Sequence, residues 1–375
     1  MDALGSRSGE VPWVGRPLAL RQLEAAKASG LEVGESADVI SLSPGGCATD
    51  ALLKRFRNES DGLLGDVVGQ IEGPMKRWTE PPFGPVVLIR RRGGGPWTPE
   101  REAAATVHRM EVIGSTFQIP IAQEANATLV NDPVRLIGVH HWSGVLWTNL
   151  LSLFDHLRVA LLGSNGPSAA WNVFRGLLMA RSTDPWQVAG ALSRYGKGVK
   201  VHPTAVVEGC TLGDRTEVGP GAVLRGSVVG SDCRIEPQAL VAFSVLADKV
   251  VVQRQGFVLF SVLDAESAVG GSMQLGVLGV KASVKRGAYL LDQSFSGPVR
   301  VRDRGLLVDV PLGTLGVGVG QGTVVGAGVQ VAAGRTLPSD LRIFPSGHSL
   351  LRSIPDGVSG LCEVKDGRLL PAEPK

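Results

Sequence analysis

The sequence predicts an α/β domain followed by a parallel β-solenoid, in which short strands stack coil upon coil. Glycine supplies 50 of the 375 residues, nearly twice the average usage of about 7%, and it lacks the three-residue period of collagen. Aliphatic residues recur at a spacing of six in the second half of the chain. The first half instead mixes charged helical patterns with short apolar runs. We therefore expect many short strands joined by tight turns in the second half only.

The six-residue spacing occurs in two blocks. The first contains Val206, Leu212, Val218 and Leu224, and the second spans residues 319–337. An α-helical face recurs every three or four residues, so a spacing of six excludes an ordinary helix. Residues i and i+6 of a strand point to the same side, because side chains alternate along a strand. The spacing predicts a triangular coil with six residues on each side.

The residue composition and the spacing of apolar residues divide the chain into four regions. Residues 1–138 form the α/β domain, residues 139–198 a helical connector, residues 199–346 the β-helix, and residues 347–375 a C-terminal strand and tail. The six-residue spacing is poorest between residues 251 and 310, where we expect loops or irregular coils.

Composition excludes several classes of function. The net charge is +3, and the basic run Arg90–Arg92 is isolated, so no nucleic-acid interface is expected. The apolar stretch Val145–Leu162 contains Asp155 and falls short of the roughly 18 uncharged residues of a membrane span. The four cysteines are far apart in the sequence and predict neither a zinc site nor a disulfide framework. We expect a cytoplasmic protein with reduced thiols and no membrane insertion.

Residues 201–224, VHPTAVVEGCTLGDRTEVGPGAVL, resemble the first coils of the hexapeptide-repeat family. Members of that family form left-handed β-helices, so the resemblance implies a left-handed hand, which spacing alone does not determine. The match is good over residues 199–250 and 311–342. The resemblance also implies a homo-oligomer, often a trimer.

Residues 11–32, VPWVGRPLALRQLEAAKASGLE, resemble the Gly-Lys/Arg-Pro-Leu segment and following helix of sugar-nucleotidyltransferases. The resemblance places Arg16 among the substrate-binding candidates. In that family the segment runs into a parallel strand, for which Glu32–Ser43 is the candidate here, and Thr49–Phe56 would form a second helix.

Residues 139–157, VHHWSGVLWTNLLSLFDHL, resemble the exit of the same catalytic domain, where a Trp-containing strand precedes a helix with an Ala-Asn pair. Asn149 occupies the place of that asparagine, and His140, His141 and Trp142 are further candidates for substrate binding. Adjacent residues on a strand point to opposite faces, so the two histidines are not expected to bind one metal.

The chain also departs from the nucleotidyltransferase pattern. The Gly-rich nucleotide loop has only the weak counterpart Gly5–Gly9, and no Lys-Pro pair follows it. Asp66 resembles the Gly-Asp step that binds metal in the family, which makes it a weak candidate ligand for Mg²⁺. The resemblance implies a reduced domain that binds or makes a sugar nucleotide from a sugar-1-phosphate and an NTP, or one that is catalytically silent.

Two other functions stay open on the sequence. Hexapeptide-repeat acyltransferases use a histidine as general base, and the second half of this chain offers His202 and His348. The setting of His202 in Val-His-Pro-Thr-Ala favours a structural role, and no histidine occupies the middle coils. The remaining alternative is a non-enzymatic scaffold. Asp264, Asp292 and Asp309 would bind a ligand if they converge, although turn or solvated positions explain them equally well.

Overall fold

The computed structural model describes residues 12–13, 16–17, 38–42, 46–83, 86–92, 97–112, 115–122, 125–131, 134–162, 166–294, 297–303, 305–310, 312–345, 362–365 and 368–371. The loop Gly5–Gly9, the helix predicted after Arg16 and the candidate base His348 lie outside these residues.

A mixed sheet with few helices forms the first region. The strands described before the solenoid are β1 (Pro12–Trp13), β2 (Arg16–Pro17), β3 (Asp38–Leu42), β4 (Gly46–Ala48), β5 (Val67–Glu72), β6 (Leu88–Arg92), β7 (Thr106–Glu111), β8 (Ser115–Ala122), β9 (Ala125–Asn131) and β10 (Leu136–Gly138). Four of them form one sheet in the order β3-β6-β5-β7, and three antiparallel pairs stand apart: β1 with β2, β4 with β10, and β8 with β9.

The described part of the first region also contains three helical segments: α1 (Asp50–Ser60), a 3₁₀ helix (Gly73–Thr79) and α2 (Pro99–Ala104). The side chain of Thr49 caps α1 by accepting a hydrogen bond from the backbone N of Leu52 at 3.4 Å. Helix α1 then buries Leu52, Leu53 and Phe56.

Strand β3 and helix α1 lie where the sequence predicts a strand and a second helix. Strand β3 pairs antiparallel with β6, however, so the parallel strand implied by the nucleotidyltransferase resemblance is wrong at this place. Strand β3 is the edge strand of this sheet and runs opposite to its neighbour β6. The nucleotidyltransferase-like character of the first region stays a prediction.

Three helices connect the first region to the solenoid: α3 (Trp142–Leu162), α4 (Gly166–Ala180) and α5 (Pro185–Ala191). Every residue from Trp142 to Leu151 is buried. Trp142 begins the helix, so the Trp-containing strand expected here is wrong: strand β10 has already ended at Gly138. None of the helices in the described ranges is long and apolar enough to cross a membrane.

The second half is a parallel β-solenoid, which confirms the fold class predicted for it. Each coil adds one short strand to each of three parallel sheets. Sheet I contains β11 (Arg194–Tyr195), β14 (Thr211–Leu212), β17 (Val228–Val229), β20 (Val245–Leu246), β23 (Val262–Leu263), β26 (Val277–Leu278), β31 (Gly318–Val319) and β34 (Thr336–Leu337).

Sheets II and III complete the triangle. Sheet II contains β12 (Lys200–Val201), β15 (Glu217–Val218), β18 (Arg234–Ile235), β21 (Val251–Val252), β24 (Ala268–Val269), β27 (Ser283–Val284), β32 (Val324–Val325) and β35 (Arg342–Ile343). Sheet III contains β13 (Val206–Glu208), β16 (Val223–Arg225), β19 (Leu240–Ala242), β22 (Phe257–Leu259), β25 (Ser272–Gln274), β28 (Tyr289–Leu290) and β33 (Gln330–Val331). The hand of the solenoid stays a prediction from the hexapeptide-repeat resemblance.

A regular coil takes 17 residues, one fewer than three sides of six would need. Ser227 and Ser244, for example, hold the same place in consecutive coils, 17 residues apart. The side from sheet III to sheet I is one residue short, so the inward positions are spaced six, six and five. For this reason Val206, predicted to point inward, is exposed, and Val207 pairs in register with the inward Leu224. The strict six-residue period was wrong at this corner.

The coils also continue further than predicted. Strands β21 to β28 stay paired in the solenoid as far as Leu290, so the loops expected from residue 251 are wrong over this part. One irregular coil is present there, because Phe257 pairs with Ser272, 15 residues further on instead of 17. The chain leaves the solenoid only after Leu290. It forms the hairpin β29 (Arg300–Asp303) and β30 (Leu306–Asp309) and returns at Gly318, which pairs with Val277. Polar strand residues such as Ser272 hid the period in the sequence. A further hairpin, β36 (Cys362–Lys365) and β37 (Arg368–Pro371), follows the solenoid.

Buried hydroxyls are satisfied inside the solenoid by a ladder of serines. Ser227, Ser244 and Ser261 are fully buried at the same corner of three coils. Each Oγ donates to the carbonyl two residues earlier and accepts the backbone N–H one coil further on, at 2.7–3.2 Å. A buried hydroxyl costs free energy unless it is paired, so this arrangement fixes the register of successive coils.

Helix α3 covers the outer face of sheet I. That face is apolar, because Val228, Val245, Val262 and Val277 point outward from it and are at most 8% exposed. At one end of the helix, Trp142 Nε1 donates to Thr336 Oγ1 at 2.8 Å, and a Cβ on Gly318 would lie 2.6 Å from the Trp142 ring. At the other end, His156 Nε2 lies 3.1 Å from Thr211 Oγ1. The helix therefore runs along the solenoid across the coils from β34 to β14.

The other side of α3 faces the first region. Trp147 contacts Trp78, whose ring in turn contacts Phe83, with centroid distances of 5.5 and 5.2 Å. These aromatic residues and the outward valines of sheet I belong to one continuous hydrophobic core. A helix that is apolar all round is normally buried on all sides, and α3 meets that condition between two layers.

We expect Leu146→Ala, in the buried part of α3, to lower the free energy of unfolding by about 2–5 kcal/mol. Urea unfolding would be followed by tryptophan fluorescence, which reports the first region and α3, and by far-UV circular dichroism, which reports the solenoid strands. Because the two layers share one core, both transitions should move together. Leu306→Ala, at a leucine 72% exposed on the hairpin, is the matched control and should change stability by less than about 0.5 kcal/mol. A shift seen by one probe alone would contradict a shared core.

Candidate functional site

The first coils of the solenoid carry a surface groove with a volume of about 460 Å³. Its walls are the outer side of sheet II and the corner that follows it in three consecutive coils. That corner carries one proline per coil, at Pro203, Pro220 and Pro237. Proline lacks an N–H and presents only carbon to solvent at such a corner, so the floor of the groove is mostly apolar. The volume lies within the range of about 300–1,000 Å³ typical of ligand pockets.

Charged side chains stand along one wall of the groove. Lys200, Glu217 and Arg234 point outward from consecutive strands of sheet II. Lys200 Nζ lies 2.7 Å from Glu217 Oε1, and this hydrogen bond raises the pKa of Lys200 and lowers that of Glu217. Arg234 Nε lies 3.6 Å from an oxygen of Glu236. Each cation of this wall is therefore paired with a carboxylate. Lys200 and Arg234 are exposed, so either can leave its carboxylate partner and bind an anionic ligand.

His202 is the histidine of the groove, and its hydrogen bonds determine where its proton lies. The backbone N of Thr204 donates to His202 Nδ1 at 3.2 Å, and Thr204 Oγ1 lies 2.9 Å from the same nitrogen. Thr204 Oγ1 accepts from the backbone N of Gly221, one coil further on, at 3.1 Å. The hydroxyl is thus free to donate its own hydrogen to Nδ1. With Nδ1 as the acceptor, the neutral ring carries its proton on Nε2.

This tautomer defines the chemistry that His202 can perform in the groove. A general base must present an unprotonated nitrogen to the proton it removes, and Nε2 is protonated in this arrangement. A protonated Nε2 can instead donate a hydrogen bond to an oxygen of a ligand, such as a phosphate, a carbonyl or a developing oxyanion. The structural role expected for His202 in the Val-His-Pro-Thr-Ala turn is present as well, since its ring caps the backbone of Thr204.

Most of the site residues predicted from the sequence lie at the start of α3, well apart from the groove in the fold. His140 and His141 occupy the turn between β10 and α3, so the strand geometry expected for them is wrong. The backbone N of His140 donates to the carbonyl of Phe83 at 3.3 Å. His141 is buried, and its Nδ1 accepts from Ser143 Oγ at 2.7 Å and from Ser143 N at 3.3 Å. Burial lowers the pKa of His141 to about 4, so the ring is neutral at pH 7.

Trp142 and Asn149 are buried within the same helix. Trp142 binds Thr336 as described above, and the Asn149 side chain donates to the backbone carbonyl of Val145 at 2.9 Å. Trp142 thus holds α3 against the solenoid, whereas the bond of Asn149 lies within the helix. The predicted contact of both side chains with a substrate stays a prediction. The side chain of Arg16 on β2 lies outside the described residues.

Asp66 is engaged by arginine. Its oxygens accept from Arg101 Nε at 2.7 Å and from Arg101 Nη2 at 3.0 Å, and one of them also accepts from the backbone N of Arg92 at 2.8 Å. These bonds lower the pKa of Asp66, the Arg101 side chain being the main cause. The described residues contain no group of three His, Cys, Asp or Glu side chains arranged to hold a metal ion. The residues present therefore do not fit a Mg²⁺ site at Asp66.

The three aspartates of the predicted irregular region occupy different elements. Asp309 is exposed on β30 and pairs with Arg300 at 2.9 Å. Asp292 is half-buried where the chain leaves the solenoid, and burial raises its pKa. Asp264 lies at a corner after β23, where burial raises its pKa to about 6. Asp264 at its corner and Asp309 in solvent fit the turn or solvated positions considered for them on the sequence.

The groove is not among the sites predicted from the sequence, although the sequence contains one signal of it. Proline recurs at residues 203, 220 and 237, each time two residues after the inward position of sheet II. A proline at the same corner of three coils predicts an apolar strip on the surface. The six-residue period marks the expected inward positions only, whereas the prolines recur with a period of 17.

The buried thiols do not supply a nucleophile. Cys47, Cys210 and Cys233 are buried and form no disulfide, and burial raises the pKa of Cys210 to about 11 and that of Cys233 to about 12. A thiol is nucleophilic as the thiolate, which is scarce at neutral pH for both of these cysteines. Reduced thiols agree with the expectation from the sequence.

We expect His141 to make stability fall with acid between pH 6.5 and about 4. In that window the unfolded chain binds a proton that the folded protein excludes, because the folded pKa is depressed by burial. The stability is fully present above pH 6.5 and is lost as the pH falls, by up to about 1.4 kcal/mol for each pH unit. Urea titrations of wild type and His141→Gln at several pH values measure the slope, and their difference cancels other groups such as Asp264. Equal slopes in the two proteins would show that His141 titrates normally.

No protein-family model and no curated protein matches the chain. Among solved structures, one similar chain is a mutant of GDP-perosamine N-acetyl transferase from Caulobacter crescentus, in complex with CoA and GDP-perosamine. The two chains are 18% identical, and the match covers 75% of this chain and 93% of that one, with a TM-score of 0.13. A TM-score this low carries no argument about the activity of this protein.

Proposed function

We propose that this protein is a hexapeptide-repeat acyltransferase that uses the groove on the first coils to transfer an acyl group from a coenzyme A thioester to the amine of a sugar nucleotide. The observation that carries the proposal is the groove of about 460 Å³, in which His202 presents a protonated Nε2 above an apolar floor. Both proposed ligands contain phosphates, for which Lys200 and Arg234 on the wall are suitable partners.

The tautomer of His202 favours an amine over a hydroxyl as the acceptor. An alcohol must lose its proton to become a good nucleophile, and it therefore needs a general base in the groove. A neutral amine already carries a lone pair and attacks without prior deprotonation. The donor geometry of His202 consequently suits N-acylation, in which help is needed mainly at the carbonyl oxygen.

The proposed step balances as an ordinary aminolysis. The amine nitrogen attacks the thioester carbonyl carbon, and the carbonyl oxygen becomes an oxyanion that accepts a hydrogen bond from His202 Nε2. The C–S bond then breaks, coenzyme A leaves as a thiolate, and the surplus proton of the new ammonium passes to that thiolate through solvent. The products are an amide and the free thiol.

The other functions considered on the sequence have weaker support. Nucleotidyl transfer requires a metal site, and Asp66, its candidate ligand, is bound by Arg101. A scaffold without ligands remains the second candidate. The solenoid shares one hydrophobic core with α3 and the first region, so it could serve only as a structural support for them.

We expect a matched pair of variants at His202 to separate donor from base. A glutamine side chain offers an N–H near the place of Nε2 but no basic nitrogen, whereas alanine offers neither. If His202 is a donor, His202→Ala should lower kcat by about 10²–10³, and His202→Gln should keep most of the activity. The assay follows release of coenzyme A from acetyl-CoA in the presence of amino-sugar nucleotides.

Lys249→Ala, which removes an exposed cation outside the groove, is the control and should leave turnover unchanged. Glutamine and alanine variants that are equally inactive would instead make His202 a base and favour a hydroxyl acceptor. Binding of acetyl-CoA without turnover by any acceptor would refute the transferase, and calorimetry that detects no ligand at all would favour the scaffold.

A further inference from the structure

We propose that helix α4 docks onto an anionic lipid surface and holds the protein at the interface between membrane and water. The inference rests on the side chains that α4 exposes and on the charges around them. It is independent of the acyltransferase proposal.

Helix α4 displays an apolar stripe to solvent. Trp171, Phe174 and Leu178 stand at positions i, i+3 and i+7, which lie on one face of a helix. Their exposed fractions are 62%, 51% and 61%. The two aromatic rings contact each other with centroids 6.0 Å apart. Large side chains of this kind are rarely left in water together unless they meet a partner.

The apolar surface extends beyond the stripe on both sides. Leu177 and Met179 flank it and are 36% and 53% exposed. The face that packs on the protein contains Gly176, where a Cβ would lie 2.8 Å from Val188 of α5. A protein partner would bury one face of a helix. A lipid surface can cover the stripe and both flanks at once, because the helix sinks about 5–10 Å into it.

The charges on α4 and on the segments next to it in the chain are almost all positive. Arg158, Arg175, Arg181 and Arg194 are exposed, and Asp184 is the one acidic residue between the first and the last of them. Within the part of the chain that the structure describes, none of these arginines forms an ion pair. Exposed cations along the solenoid do form them, as Arg215 does with Asp232 at 2.6 Å. Unpaired arginines beside an apolar stripe match the negative headgroups of an anionic membrane.

The same charges disfavour a two-fold dimer formed through this stripe. In a two-fold dimer the stripe would meet itself, and the arginines of both copies would then face one another. A lipid surface has the opposite charge and also accommodates tryptophan, whose ring prefers a position with one apolar side and one wet side. Arg175 lies one turn from Trp171 and can reach the headgroups while its stem lies along the apolar layer.

Sedimentation with vesicles tests this proposal. Wild-type protein should bind vesicles of phosphatidylcholine with phosphatidylglycerol, and should bind those of phosphatidylcholine alone much more weakly. The triple variant Trp171→Ser, Phe174→Ser, Leu178→Ser should lower the partition coefficient more than about tenfold, since three apolar side chains are removed. Arg175→Gln and Arg181→Gln should each lower it about fivefold at low salt and less at high salt.

The matched control is the double variant Leu306→Ser, Leu307→Ser, which removes two exposed leucines from the hairpin after the solenoid and should bind like the wild type. Circular dichroism melting shows whether each variant is folded. If the wild type binds no vesicles, or if the triple variant binds as well as the wild type, the proposal is wrong. A concentration-dependent dimer that the triple variant loses, without any vesicle binding, would assign the stripe to a second copy instead.

Discussion

The burial of α3 between two apolar layers is the interaction on which the rest of the structure depends. The outward valines of sheet I would face water in an isolated solenoid, and the aromatic side chains around Trp78 would lack a cover in an isolated first region. Each layer therefore leaves a surface that only the helix fills. Because hydrophobic stabilisation follows the apolar area removed from water, one helix contributes to both layers at once. Asp155, the charge inside this apolar helix, forms an ion pair with the buried Arg135 of the first region.

The groove depends on the same regularity that builds the solenoid. Lys200, Glu217 and Arg234 stand above one another because the strands of sheet II are in register, and the hydrogen bonds of His202 include one that reaches into the next coil. A coil of 17 residues keeps this stacking without a bulge. Strands β15 and β18 of the site are paired on both sides, and β12, at the end of sheet II, is paired with β15. This paired backbone holds the side chains of the site more firmly than a free loop would.

The sequence alone predicts the solenoid, because even spacing of aliphatic residues has no helical explanation. It does not predict which neighbour points inward, since Val206 and Val207 are equally apolar and only the short corner distinguishes them. The apolar outer face could have been read from the pairs Val228-Val229 and Val245-Leu246, where both residues of a strand are aliphatic. The position of the proton on His202 could not be predicted from the sequence, because it depends on Thr204 and on Gly221 in another coil. Site candidates taken from the family resemblance, such as Asn149, lie in α3, and the packing of that helix accounts for their burial.

Helix α3 also changes how the molecule would respond to a pulling force. Each coil of a bare solenoid holds only its two neighbours, so tension applied at one end can peel coils away singly. A helix anchored at Trp142 on late coils and at His156 on early ones acts as a strut along the stack. To detach an end coil, α3 must then move relative to all the outward valines of sheet I that it covers. The load is shared among the coils, and the solenoid should rupture in one large step instead of unzipping gradually.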